Sequence, residues 1–400
     1  MYVLSKPTER RTPENLPTTN KPQEASLQWP GYFKGADAMV PKQDIRFCTT
    51  ADGVRLATAS TGSGPPLIRV GTWLSHLECD LREPDSWAAI KEFSRDHTYV
   101  RYDPRGCGLS DRRIPPLQFD DMVADLAAVV EAYGQGRPLP LYGMSCGAPI
   151  SIAYAARHPE RVSRLILLNG YGRAYFSAKE PPAELLEEAS LLLKSAELGW
   201  GNEKSVFRQV FITQLLGNSA SEMRRSIDER MSLSMNTDVA LQYMRRNYEM
   251  DVKAECATLQ CPALVLHARG DQMVVFEMGR KLAGWIPGAR FVPLDSDSHV
   301  LFSREPAAKE FFTQARAFLG VNKRPGAQTA SLSQRQQEIL VYVARGQTDK
   351  QIARELGLSP RTVEMHVAGA LKALNCATRA EAVHRAASEG LLAAAISTYP

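Results

Sequence analysis

The 400-residue sequence contains no run of about 18 consecutive apolar residues, which argues against a membrane-spanning helix. Its first residues lack the apolar core of an export signal, so the expectation is a cytoplasmic protein with no membrane partner. The seven cysteines (Cys48, Cys79, Cys107, Cys146, Cys256, Cys261 and Cys376) are odd in number and scattered, which fits a reducing compartment and not a disulfide framework. Cys256 and Cys261 come closest to a pair, but no second pair or histidine cluster follows. No metal site is expected, and no motif calls for a cofactor. A formal net charge of +4 is too small for this length to imply nucleic acid, so any such partner must be argued from a local motif. No internal repeat is present.

What is present is an ordinary globular composition, 44% hydrophobic and 23% charged, on a chain longer than one core usually serves. Residues 1–42 are rich in Pro, Thr, Lys, Glu and Asn, with isolated apolar residues such as Trp29 and Phe33, and read as a disordered or strap-like arm. From 43 to 319, the runs PPLIRV, TYVRYD, LPLYGM, RLILLN, PALVLHA and ARFVPLD read as strands separated by helix-length segments. That alternation predicts an α/β domain with a mostly parallel sheet. Between about 173 and 255 it stops, and three helical patterns follow one another, which predicts a helical cap over the carboxyl ends of the strands. Residues 320–331 (GVNKRPGAQTAS) read as a linker.

LPLYGMSCGAPISIAYAARH carries Gly-x-Ser-x-Gly where a strand should turn into a helix. A chain this long has roughly one chance in ten of holding that pattern by accident, but the strand-to-helix context marks Ser145 as a nucleophile, with Gly143 and Gly147 permitting a sharp corner. A serine hydroxyl needs a base and an orienting acid further along the chain. Asp271 just beyond one strand and His299 just beyond the next supply both in the required order. His267 lies inside a strand run, and Asp295 and Asp297 stand too close to His299 to face its ring easily; all three rank lower.

This segment resembles the α/β-hydrolase fold, and RYDPRGCGLSD and SIAYAARHPERVSRLILLNGYG agree with it. ELGWGNEKSVFRQVFITQLL and GTWLSHLECD resemble a bacterial subgroup fused to regulatory output domains. The resemblance implies an oxyanion hole from the backbone N–H groups of Cys146 and Trp73. Here Gly71, Thr72 and Trp73 stand where many members carry His-Gly. Met144 and Cys146 flank the nucleophile and are expected to narrow the pocket floor, Cys146 as a packed thiol directed away from the cleft. Trp73, His76, Met144, Trp200 and Phe207 are the candidate ligand-pocket residues. A serine in place of a carboxylate nucleophile leaves acyl transfer as the chemistry.

Residues 332–395 divide by cap chemistry. Ser333 with Gln336 opens a helix that Gly346 closes; Thr348 with Gln351 opens a second that Gly357 closes; Ser359 and Pro360 open a third. Three short helices with a tight Gly-Leu-Ser turn before the last form a helix-turn-helix, and GQTDKQIARELGLSPRTVEMHVAGALKAL resembles the LuxR-type DNA-binding domain. The resemblance implies a double-stranded DNA partner, with Lys350 and Lys372 at phosphates and Arg361, Thr362, Glu364 and Met365 near base edges. Glu364 and Ala373 stand where many relatives carry a base, so a homodimer on a two-fold site is expected, nucleoid-associated in a bacterial cytoplasm when bound.

The chain thus reads as an α/β-hydrolase fold with a helical cap plus a small all-α LuxR-type helix-turn-helix domain. The expected function is a DNA-binding transcription regulator whose hydrolase-fold domain senses, and can slowly hydrolyse, a small apolar ester- or lactone-like ligand. The alternative is a serine hydrolase, an esterase or lactonase, regulated or localised by its DNA-binding domain. Nothing heads the first strand with the acidic cluster of a phospho-accepting receiver.

Overall fold

Residues 165–168 and 263–266 are apolar at every position and therefore on both faces of a strand, so they can lie only in the middle of a covered sheet. The computed structural model of the chain places them there. It describes residues 43–320, 332–388 and 392, except 82, 175–176, 178–182, 203–204, 218–220, 375 and 377. The arm expected over 1–42, the linker from 321 to 331 and the end of the last domain at 393–395 fall outside the described residues.

The elements run β1 (Asp44–Thr49), β2 (Arg55–Thr61), β3 (Pro66–Arg69), α1 (Leu77–Asp80), α2 (Pro84–Ser94), β4 (Thr98–Tyr102), α3 (Phe119–Gly134), β5 (Leu139–Met144), α4 (Gly147–Arg157) and β6 (Val162–Leu168). Then come α5 (Ala183–Gly199), α6 (Val206–Leu216), α7 (Ser221–Ser234), α8 (Thr237–Glu249), α9 (Lys253–Cys256), β7 (Ala263–Ala268), α10 (Phe276–Trp285), β8 (Arg290–Leu294) and α11 (Pro306–Leu319). The eight strands form one sheet in the order β1-β2-β4-β3-β5-β6-β7-β8, parallel from β4 onward along that order. All six runs read as strands are strands. Two more, β1 and β2, form the antiparallel edge. Their signal is faint because RLATAST is built of small residues and β1 exposes Phe47 at 53%.

Period-two alternation sorts the core. Leu165 and Leu167 face one layer with Met122 and Leu126 of α3 and Ile152 of α4. Ile166 and Leu168 face the other with Phe93 of α2 and Phe311 of α11. Each such fully buried side chain contributes about 1.5–3 kcal/mol.

Helices α5–α9 interrupt the βα series between β6 and β7. Three were legible as helical patterns; α8 adds a fourth long one, begun by Asn236, whose side chain accepts from the Val239 amide at 3.0 Å.

The C-terminal residues form α12 (Gln334–Ala344), α13 (Asp349–Leu356), α14 (Pro360–Leu374) and α15 (Arg379–Ser388). Reciprocal caps start α12, where Ser333 N–H donates to Gln336 at 2.8 Å, and α13, where Thr348 N–H donates to Gln351 at 2.8 Å. Gly357 in the left-handed region (φ 64°) ends α13, and Ser359 Oγ accepts from the Thr362 amide at 3.1 Å to start α14. Ile339, Ile352, Val363 and Val367 close one side of this small core, and Leu340, Ala370, Leu374 and Ala382 the other. The fourth helix, α15, gave little sequence signal because its buried residues are alanines. Arg379 ties it to Asp349 at the start of α13 with contacts of 2.6 and 2.8 Å.

At the β5–α4 corner Ser145 adopts φ 51°, a left-handed conformation that costs a non-glycine residue of order 1 kcal/mol or more. The corner closes because Gly143 has no side chain: a Cβ there would lie 2.4 Å from Ser151 Oγ and 2.7 Å from the Gly147 carbonyl oxygen. Gly143→Ala is therefore expected to destabilise the fold by roughly 1–3 kcal/mol, read as a lower urea midpoint with an unchanged slope. An unchanged midpoint would show that the corner has slack.

Candidate active site and candidate DNA-reading helix

The loops after β3, β5, β6, β7 and β8 and the helices α5, α6 and α8 enclose a cavity of about 190 Å³, bordered by both Ser145 and His299. Its wall is largely apolar, with Phe211, Met244 and Met273 among the residues. That volume is somewhat larger than an apolar protein cavity known to hold benzene, at about 150 Å³.

His299 Nδ1 lies 2.7 Å from Asp271 Oδ2, with both side chains buried. The other oxygen, Asp271 Oδ1, accepts from the Met273 and Val274 amides at 2.9 and 3.0 Å, which fixes the carboxylate plane. Asp295 and Asp297 are exposed, and Asp271 is the acid on the imidazole. His267 is buried in β7, its Nε2 2.7 Å from the Val274 carbonyl and 3.7 Å from Asp271 Oδ2, and burial pushes its imidazole pKa below the ordinary value. It props the acid loop and does not border the cavity.

Two further residues hold the His299 loop, and neither carried a sequence signal. Asn169, fully buried at the end of β6 with φ 47°, donates from Nδ2 to the His299 carbonyl at 2.7 Å and accepts at Oδ1 from the Ala268 amide at 2.8 Å. From the helical insertion, the Leu215 carbonyl accepts from the His299 amide at 3.1 Å.

Of the candidate pocket residues, Trp73 and Phe207 line the cavity. Trp200 does not; it stacks on Trp73 at 5.5 Å, and its indole N–H donates to the Met235 carbonyl at 3.3 Å. Met144 follows the alternation of β5, sharing with Tyr142 the opposite face of the sheet. His76 precedes α1 and also lies outside the lining. Cys146 is 3% exposed and borders the cavity. Burial pushes its thiol up to about 11, against the opposing effect of a hydrogen bond from the Trp73 backbone, so it stays protonated at neutral pH and is a poor competitor to Ser145.

The insertion is tied down by buried ions. Arg230 of α7 reaches Asp80 at 3.1 Å and pairs with Glu83, while Ser226 donates to Glu83 at 3.0 Å. Burial alone would raise the Asp80 pKa, but the guanidiniums of Arg230, Arg101 and Arg69 outweigh it and hold it below the usual range.

On α14, Arg361, Glu364, Met365 and Lys372 are exposed, as is Lys350 at the start of α13. Met365 is 61% exposed, unusual for an apolar residue on a helix whose other face is core. Thr362 is half-buried, its hydroxyl 2.7 Å from Ser359 Oγ at the helix start.

Comparison with known proteins agrees with this architecture. The model of the alpha/beta hydrolase fold family matches residues 83–306. The chain belongs to that family. The hydrolase-fold domain is followed at residues 330–386 by a match to bacterial regulatory proteins of the luxR family, which implies DNA binding. Among curated proteins the hydrolase-fold domain is similar to the AB hydrolase superfamily protein YisY of Bacillus subtilis, 27% identical over 65% of this chain and 94% of that protein. It is also similar to the putative carbamate hydrolase RutD of Azorhizobium caulinodans, 24% identical over 54% of this chain and 80% of that protein. The esterase EaEST of Exiguobacterium antarcticum shares the fold, with a TM-score of 0.60 and 18% identity over 68% of this chain and 98% of that one. No helix among the described residues is long and apolar enough to cross a membrane.

Removing the Asn169 amide leaves the Ala268 N–H and the His299 carbonyl without partners. Asn169→Ala is expected to cost about 2–4 kcal/mol in denaturant unfolding, from two unsatisfied groups of roughly 1–3 kcal/mol each softened by relaxation. A loss below about 0.5 kcal/mol, the size of an ordinary surface substitution, would contradict its role in holding the loop.

Proposed function

We propose that the protein is a DNA-binding transcription regulator whose hydrolase-fold domain takes up a small, largely apolar ester- or lactone-like ligand. The observation that carries this reading is the pairing, on one chain, of a luxR-family domain with a largely apolar cavity bordered by Ser145 and His299. A DNA reader supplies an output that a free metabolic enzyme does not need. The exposed face of α14 is the base-reading surface in this proposal, with Lys350 and Lys372 at phosphates, and two copies bind a two-fold site.

A second reading, that the domain also hydrolyses its ligand, is favoured by the short Asp271–His299 contact and by the strained conformation of Ser145. In that chemistry Ser145 Oγ bonds to the ligand carbonyl carbon as its proton passes to His299 Nε2. The imidazolium, stabilised by Asp271, returns the proton to the leaving alcohol, and water then cleaves the acyl-serine by the same route. The Cys146 amide is the proposed oxyanion donor, joined by the Trp73 amide as it turns from the Cys146 thiol to the developing oxyanion.

Intact-mass analysis after treatment with a fluorophosphonate tests the nucleophile: one adduct is expected on the native protein and none on Ser145→Ala or His299→Ala. An unmodified native protein would reduce the site to a receptor pocket. For the DNA face, Arg361→Ala is expected to lower affinity for a selected site by about 1–3 kcal/mol more than for random duplex. Equal losses on both duplexes would remove Arg361 from base contact.

A further inference from the structure

Asn247 of α8 borders the cavity, whose mostly apolar lining also holds Ser145, Gln214, His299 and two tyrosines. Its Oδ1 is buried and has no hydrogen-bond partner. The backbone beside it is engaged, since Tyr171 Oη donates to the Asn247 carbonyl at 3.2 Å, while the side-chain oxygen is left over. A buried amide oxygen without a partner is costly, and an apolar side chain of similar size would serve packing better at that position. No Lys, Arg, Asp or Glu stands among the described residues that border the cavity, so no permanently charged side chain there balances a ligand charge.

We infer that Asn247 is a specificity-determining residue: the cavity takes an uncharged acyl compound that carries its own hydroxyl or N–H donor and satisfies the Asn247 amide. This rests on the proposed reading of the cavity as the ligand site, and it narrows the ligand class. An ester or lactone with a hydroxyl or amide N–H on its acyl part fits; a plain hydrocarbon ester leaves Asn247 Oδ1 unpaired, and a carboxylate finds no permanently charged partner. Ser145 and His299 meet the carbonyl of the same ligand.

The probes are ethyl butyrate, ethyl 3-hydroxybutyrate and sodium butyrate, with binding followed by fluorescence of the cavity-lining Trp73 in a Ser145→Ala background that removes turnover. The hydroxy ester is expected to bind roughly tenfold more tightly than ethyl butyrate, because a site built around a polar partner penalises the analogue that lacks it. Butyrate is expected to bind weakest. Adding Asn247→Leu should shrink the ester preference below about twofold, the residue of a lost hydrogen bond, and leave the ligand-free melting temperature unchanged or higher. Equal affinity for the two esters, no binding of either, tighter binding of butyrate, or a preference that survives Asn247→Leu would each overturn the inference. So would a marked fall in the melting temperature of Asn247→Leu, which would give the amide a structural partner. If the preference depends on Asn247 but the native protein neither reacts with the fluorophosphonate nor releases ethanol from the hydroxy ester, the hydrolytic reading fails and this inference stands.

Discussion

His299 is held from three directions, and the cavity's chemistry depends on all three. Asp271 meets the ring at Nδ1, Asn169 takes the backbone carbonyl, and the Leu215 carbonyl takes the backbone amide. The first two partners come from strand ends of the sheet. The third belongs to α6 of the helical insertion, whose Phe207, Phe211 and Leu215 also border the cavity. The His299 backbone is thus tied to a helix that also walls the cavity.

The insertion itself is anchored by charge as well as by apolar packing. Asp80 and Glu83 face Arg230 of α7 at a site where the arginine is 7% exposed, with Arg101 on the far side of Asp80. Buried ions add little net stability over a well-packed apolar pair, yet removing one partner of such a pair typically costs about 3–5 kcal/mol. Such a contact defines one seating of the insertion and resists partial displacement. The apolar contacts around Trp73, Trp200 and Phe211 are the softer part of the same interface.

Sequence pattern reached the strands with continuous apolar runs, the pairing of Asp271 with His299, and the capped helices from Ser333 onward. Each of these is encoded locally, by spacing or by side chains that cap their own helix. Asn169 and Asn247 were not legible, because an asparagine at a strand end or on an amphipathic helix looks the same whether its amide meets solvent, a loop or a cavity. Met144 was readable in principle: strand alternation pairs it with Tyr142 on the sheet face away from the cavity. Trp200 was close, one ring behind the wall. Strands β1 and β2 escaped for different reasons: β1 is largely exposed and polar, whereas β2 is buried but built of small residues such as Ala57 and Ala59.

In the proposed function, occupancy of the Ser145 cavity changes how the luxR-family domain binds DNA. The most direct test selects a duplex from a random pool with the full chain, then compares its Kd for unmodified protein and for protein phosphonylated at Ser145. At least a fivefold shift in either direction, about 1 kcal/mol of coupling, is expected. The same Kd for both forms, at full phosphonylation, would contradict the claim and leave two independent domains on one chain.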